Sequence, residues 1–370
     1  MVAREARRGA RGLGGRHRPE IQLTTLDTKM FCGCKLEFGA EPNTHVPRVP
    51  GDAGALPVPN RAAIESIVLA PGHELRHREA LMFYRKRTCP DMSKNYQTTH
   101  ARGVLHARPP RPRRDGAAAK ERADLDGLAV GESRGNVTRT TDGYTAHVGI
   151  TRIHMEEDAG KMVHIGGGEG RIAGATHSLV DYNRAGTPLT ELVTEPDLRT
   201  PEEARLFMQK LRQIYLALGI SDCSMEEGSM RCDGNVSLRR RGAKEFGVKT
   251  ELKNMNSFKN LHDGLAYEIC RQAEVLEEGG QIFQETRHWD PSAKRTIVMR
   301  VKETADDYRL FPDPDLAPYD LTDEWIDSVR AKLPELPDQK AARFEDAFGL
   351  SAYDARHLVE HRETADFFEA

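Results

Sequence analysis

The stretch ITRIHMEEDAGK at 150–161 places one imidazole, His154, and three carboxylates, Glu156, Glu157 and Asp158, within five residues. Adjacent carboxylates repel one another, so a fold that holds them together needs a compensating charge or free access to water. Two readings are open at this point. One is a solvated acidic turn. The other is a bound hard cation such as Mg²⁺, which prefers carboxylate oxygens and shares its remaining positions with water and substrate phosphates. In extended backbone, successive side chains point to opposite faces, so at most two or three of these groups could share one ion. Another strand would have to supply a further carboxylate. Glu251 is the candidate, because in VKTELK the alternation puts Lys249, Glu251 and Lys253 on one face. The spacing fits no zinc signature.

Other segments could carry chemistry but are less specific. HIGGGEGRIAG (164–174) is rich enough in glycine to cradle phosphates, yet it lacks the Gly-Lys-Ser/Thr ending and reads as a flexible hairpin tip. Cys32-Gly33-Cys34 could supply half of a zinc site, with no second close pair following. Cys223 and Cys232 flank SMEEGSMR and read as structural. No Ser/His/Asp or Cys/His triad can be assigned from spacing.

The elements that must position these groups are legible from about residue 120 onward. YTAHVGITRIHME alternates as a strand running into the acidic cluster, and SLVDYNRAGTPLTELV reads as strand, turn and strand. TPEEARLFMQKLRQIYLALG is the best helix, with a Thr200/Glu203 capping box, Pro201 at the first turn and Gly219 at the end. MRCDGNVSLRRRGAKEFGVKTELKNMNSF reads as a hairpin with its turn near RGAKEFG. A second helix is expected over 257–278, capped by Ser257, and shorter helices over 322–332, 338–348 and 351–369. The fold class is therefore α+β: an antiparallel sheet cradle with flanking helices over 1–318, then the start of an all-α domain over 319–370.

At 370 residues, with 38% hydrophobic and 30% charged residues, the chain can bury a sizeable core. No apolar run approaches a membrane span, and the six scattered cysteines read as cytoplasmic thiols or metal ligands before disulfides. A net charge of −3 makes no global case for nucleic acid, so any RNA contact needs a local basic patch. Arginine is concentrated in one such kind of stretch: six arginines and no lysine in residues 1–20, and five more in 100–120.

Several long phrases, taken together, resemble one family. They include TKMFCGCKLEFGAEPN, ITRIHMEEDAGK, SLVDYNRAGTPLTELVTEPDLR, MEEGSMRCDGNVSLR, KTELKNMNSF and MRVKETADDYRLFPDPDL. The family is GatB, one of the component chains of bacterial tRNA-dependent amidotransferases. The resemblance implies a ligase that works with an amidase subunit, GatA, and a small clamp, GatC. Its substrates are glutamyl-tRNA(Gln) or aspartyl-tRNA(Asn), and its cofactors are ATP and Mg²⁺. It also implies a cytoplasmic location with no membrane contact. Carried over residue by residue, Glu157 and Glu251 match metal-binding glutamates and Lys86 in FYRK matches a basic active-site residue. By its charge rather than by the resemblance, Arg231 would lie near the phosphates, and Lys161 would support cofactor binding with His154, Glu156 and Asp158 as neighbours.

The chain departs from the family text in four places. The family opens on a strand resembling Gly-Leu-Glu-Ile-His whose Glu and His hold metal; here Glu20 stands for the glutamate and the histidine is gone, with Gln22 nearby. The second cysteine pair is gone, which leaves Cys32 and Cys34 as a remnant Zn²⁺ half-site. The phrase after FYRK, aromatic in the family, is RTCPD here, and 100–116 matches nothing in the family. The segments 1–20, 46–54, 70–81 and 100–116 read as brief out-of-frame stretches of a GC-rich gene rather than as an RNA-binding arm. The alternatives to an active subunit are an inactive remnant or a non-catalytic arginine-rich RNA-binding protein. Against the family, the chain is also expected to stop before the rest of its helical region and tail domain.

Overall fold

The computed structural model describes residues 17–47, 54, 56–70, 82–86, 97–102, 136–139, 145–166, 174–239, 245–301, 311–319 and 321–370. The first half comprises β1 (Arg18–Gln22), α1 (Arg61–Leu69), β2 (Met82–Lys86), β3 (Gln97–Arg102), β4 (Asn136–Arg139), β5 (Thr145–Val148), β6 (Ile150–Glu157), β7 (Lys161–Ile165), β8 (His177–Asp181) and β9 (Pro188–Thr194). It continues with α2 (Pro201–Leu218), β10 (Met230–Val236), β11 (Thr250–Lys253), α3 (Phe258–Glu277), β12 (Glu285–Asp290), β13 (Arg295–Val301) and β14 (Phe311–Pro312). Four short helices close it: α4 (Asp323–Arg330), α5 (Pro337–Phe348), α6 (Ala352–Leu358) and α7 (Arg362–Glu369).

Ten strands form one sheet in the order β13-β12-β11-β10-β1-β9-β6-β3-β2-β14, and β4-β5 and β7-β8 form two separate ribbons. Pairing is antiparallel except between β11 and β12. The mixed architecture is α+β, as the patterning predicts. The expected β10–β11 hairpin pairs Asn235 with Glu251. The strand expected over 144–156 is broken at Gly149, whose N–H donates to Asp197 Oδ2 at 3.0 Å. A Cβ there would sit 2.9 Å from Glu195 Cγ, so the close crossing requires glycine.

One face of the large sheet is apolar and is covered by α2 and α3. Phe207, Leu211 and Tyr215 of α2 and Leu261 and Leu265 of α3 are buried against Ile21, Ile153, Leu192, Met230 and Leu252. Each such side chain contributes roughly 1.5–3 kcal/mol on burial. The Tyr215 hydroxyl is paired at 3.0 Å with Thr190 Oγ1 of β9, which fixes the height of α2 over the sheet. The capping box forms as expected: Glu203 N donates to Thr200 Oγ1 at 3.1 Å and Thr200 N to Glu203 Oε2 at 3.2 Å. Gly219 ends the helix with φ +67°.

This core extends through α4, where Ile326 and Val329 are buried. A second small core gathers Ala341, Phe344, Ala355, Val359 and Ala365 from α5 to α7. The single helix expected over 351–369 is corrected to two. Val359 and Ala365 lie six residues apart, so an unbroken helix would separate them by about 240° around its axis. The break after Leu358 lets both face Phe344.

Candidate active site

Burying one face of the sheet leaves its other face polar, and strand register decides which residues meet there. Glu20 of β1 lies opposite Arg231 of β10 on one side and Glu191 of β9 on the other. Glu191 is in turn opposite His154 of β6. Asn235 pairs with Glu251, which pairs with Thr286 of β12. Period-two alternation then gathers Arg18, Glu20, His154, Glu156, Glu191, Arg231, Asp233, Glu251 and Lys253 on one surface.

Three cations hold this surface together. The Arg18 guanidinium lies 4.0 Å from Glu191 Oε2, 3.9 Å from Asp233 Oδ2 and in direct hydrogen-bond contact with Glu251 Oε1. Lys253 Nζ donates to Asp233 Oδ2 at 2.5 Å, and Thr286 Oγ1 to Glu251 Oε2 at 2.9 Å. Arg231 donates to Asp158 Oδ2 at 2.6 Å and approaches Glu20 Oε2 at 3.6 Å. His154 Nδ1 lies 3.6 Å from Glu156 and 3.9 Å from Glu191.

The electrostatics follow from this crowding. Burial, with Asp233 and Glu191 nearby, pushes the Glu20 carboxyl up to about 7 against the pull of Arg231 and Lys253. Burial works against the charge on Arg18, but Glu191, Glu251, Asp233 and Glu20 outweigh it and hold the guanidinium above its ordinary value. Arg231 and Lys253 are likewise raised against burial, by Asp158 and Glu20 in the first case and by Asp233 foremost in the second.

The expected residues divide between this surface and other places. Glu20, Arg231 and Glu251 lie on it. Glu157 does not share its parity: it follows Ile153 and Met155, ends β6 opposite Pro188, and is buried within electrostatic reach of Lys29. Asp158, one residue past the strand, turns back to Arg231 and accepts a hydrogen bond from Gln22. Lys161 is exposed on the separate β7–β8 ribbon opposite Asp181. Lys86 ends β2 opposite Gln97, and two residues earlier Tyr84 pairs with Thr99, which pairs with Glu156. Cys32 and Cys34 are half-buried and not disulfide-bonded, in the loop after β1. Among the described residues, no group of three or more His, Cys, Asp and Glu side chains is arranged to hold a metal ion. Cys223 and Cys232 are buried, and burial pushes both thiols up, Cys223 to about 11.

Sequence reasoning did not single out Arg18, Glu191, Asp233 or Lys29. Glu191 carried a signal, a lone carboxylate inside the otherwise uncharged, fully buried strand PLTELVT. Lys29 is fully buried, and its Nζ donates to the carbonyls of Asn183 at 2.6 Å and Ala185 at 2.5 Å. That clamp fixes the turn between β8 and β9, and with it the register of Glu191.

A family model described as the GatB/GatE catalytic domain matches residues 20–327. The chain belongs to this family. It is 49% identical over 352 residues to the GatB subunit of the aspartyl/glutamyl-tRNA(Asn/Gln) amidotransferase of Carboxydothermus hydrogenoformans, covering 94% of this chain and 67% of that protein. The same subunit from Moorella thermoacetica is 48% identical over 345 residues, covering 92% and 66%. That from Brevibacillus brevis is 46% identical over 353 residues, covering 94% and 66%. The chain thus spans about two thirds of the length of these GatB relatives. Identity at this level across nearly the whole chain gives no support to a decayed remnant. Much of the arginine-rich text, at 1–16, 48–53, 71–81 and 103–116, lies outside the described residues. Among the described residues, no helix is long and apolar enough to cross a membrane.

Proposed function

We propose that the chain carries the kinase and transamidase centre of a tRNA-dependent amidotransferase, acting in the cytoplasm with an amidase subunit and a clamp subunit. Its substrate is a tRNA misacylated with glutamate or aspartate. The side-chain carboxylate attacks the terminal phosphorus of ATP, ADP leaves, and an acyl phosphate forms. Ammonia then adds to the acyl carbon, and phosphate departs with the bond that an oxide could not give up. The amide and a released proton complete the balance. The catalytic face is the polar surface of the sheet, where Arg231 and Lys253 can hold phosphate oxygens and Glu251 and Glu20 bracket the cations. Lys86, from the expected set, ends a strand whose register leads to Glu156.

The observation that carries this reading is the match of the family to 20–327, the span that supplies every residue of this surface except Arg18. Magnesium is a separate matter. Of the residues expected to hold it, Glu157 has the opposite parity, Glu251 is engaged by the Arg18 guanidinium and Glu20 lies beside Arg231. No step is drawn through a metal bound there. The test is transamidation of glutamyl-tRNA(Gln) by the assembled complex with ATP and glutamine. Glu251→Gln is expected to lower the rate at least 100-fold while leaving the circular dichroism spectrum unchanged. Wild-type turnover by that variant would remove Glu251, and with it this face, from the reaction.

A further inference from the structure

We propose that Arg18 is a built-in cation of this sheet, occupying the position among Glu191, Asp233 and Glu251 that would otherwise draw a divalent metal ion. The three carboxylates come from three strands, β9, β10 and β11, and Arg18 projects from β1 between them. One guanidinium reaches all three, at 4.0 Å, 3.9 Å and direct hydrogen-bond contact. Its planar fork carries five N–H donors, enough to serve several carboxylates at once. A magnesium or calcium ion needs the same oxygens at about 2.0–2.6 Å, in a space and a field that the guanidinium already fills.

The neighbouring charges make the same point. Lys253 takes Asp233, and Arg231 with Gln22 takes Asp158, so the lone pairs on this part of the sheet are already directed at donors of the chain itself. Arg18 is also placed to be selective rather than incidental. It sits in β1 opposite Asp233, with its side chain only 30% exposed. A guanidinium fixed there gives the face a permanent positive centre whose strength does not depend on metal supply. The geometry of the chain alone carries this role, which stands apart from the activity proposed above.

The test is metal binding and metal-dependent stability of the full chain, with Mn²⁺ and Mg²⁺ as probes. Wild type is expected to show no Mn²⁺ site tighter than the millimolar range by electron paramagnetic resonance titration, and no rise in melting temperature with Mg²⁺. Arg18→Gln, which keeps the strand and removes the charge, is expected to bind Mn²⁺ at least tenfold more tightly and to melt higher as Mg²⁺ is added. Adding Glu251→Gln to it should abolish that gain. Arg18→Lys, a point charge in the same place, should stay insensitive and guards against a folding defect in the neutral variant. A sub-millimolar wild-type site lost on Glu251→Gln overturns the proposal. So does an Arg18→Gln protein, folded by circular dichroism, that binds no more tightly than wild type.

Discussion

His17 provides a sharp test of how β1 is seated. Its ring points to the apolar face, over Gly234 of β10, where a Cβ would lie 3.7 Å from Nδ1 and 3.0 Å from Leu265 and Met255 side-chain atoms. It is 1% exposed, and neither ring nitrogen has a hydrogen-bond partner. Burial holds its pKa at about 4, against an ordinary 6.5. Between those values the unfolded chain takes up a proton that the native chain refuses, so stability falls as pH falls through that window. The difference amounts to about 3 kcal/mol at pH 4 and vanishes above about pH 7. His17→Leu removes both the titration and two unpaired polar atoms, which cost roughly 1–3 kcal/mol when buried. Urea unfolding of both proteins from pH 4 to 8 is the assay. The variant should be the more stable at pH 8, and its advantage should widen by about 3 kcal/mol by pH 4. Parallel stability curves would show that the ring reaches water or a partner, and the seating of β1 described above would be wrong.

Two further substitutions probe the supports of the site. Lys29→Met strands the carbonyls of Asn183 and Ala185, and at about 1–3 kcal/mol each should cost roughly 2–6 kcal/mol by urea unfolding, with faster hydrogen exchange in 182–191. Phe344→Ala removes the ring that meets Phe348 at 5.5 Å and Phe368 at 5.2 Å. A cost of about 3–5 kcal/mol should fall on so small a core that α5–α7 exchange rapidly while α2 and α3 stay protected.

What could be read in advance was what depends on neighbours in sequence. The capping box of α2, the Ser257 cap and the pairing of β10 with β11 follow from spacing alone, because each needs residues within one turn or one hairpin. Glu251 was placed with Lys253 on one face for the same reason. Which carboxylate of HMEED joins it is a different kind of question. Alternation separates Glu156 from Glu157, but only the pairing of β6 with β9, distant in sequence, selects Glu156 for the polar face. Arg18 was hidden more deeply. It belongs to an arginine-rich run with no periodicity, and its meaning appears only when β1 is inserted between β9 and β10. The clamp by Lys29 escaped because a lysine's backbone acceptors leave no trace in residue types.

The two neighbouring residues at the start of β1 allow the insertion itself to be tested. His17 and Arg18 are adjacent in the chain but face opposite sides of the sheet, one toward Leu265 and Met255 and the other toward Glu191, Asp233 and Glu251. They share no side-chain partner, so His17→Leu and Arg18→Gln should act on stability additively, within about 0.5 kcal/mol. The double variant should keep the Mg²⁺ response of Arg18→Gln and the flattened pH dependence of His17→Leu. A coupling well above about 0.5 kcal/mol would mean that one substitution shifts the strand and carries the other residue with it. The carboxylate face and the core would then be joined through β1, and the charge of Arg18 could not be altered without moving the hydrophobic seat beneath it.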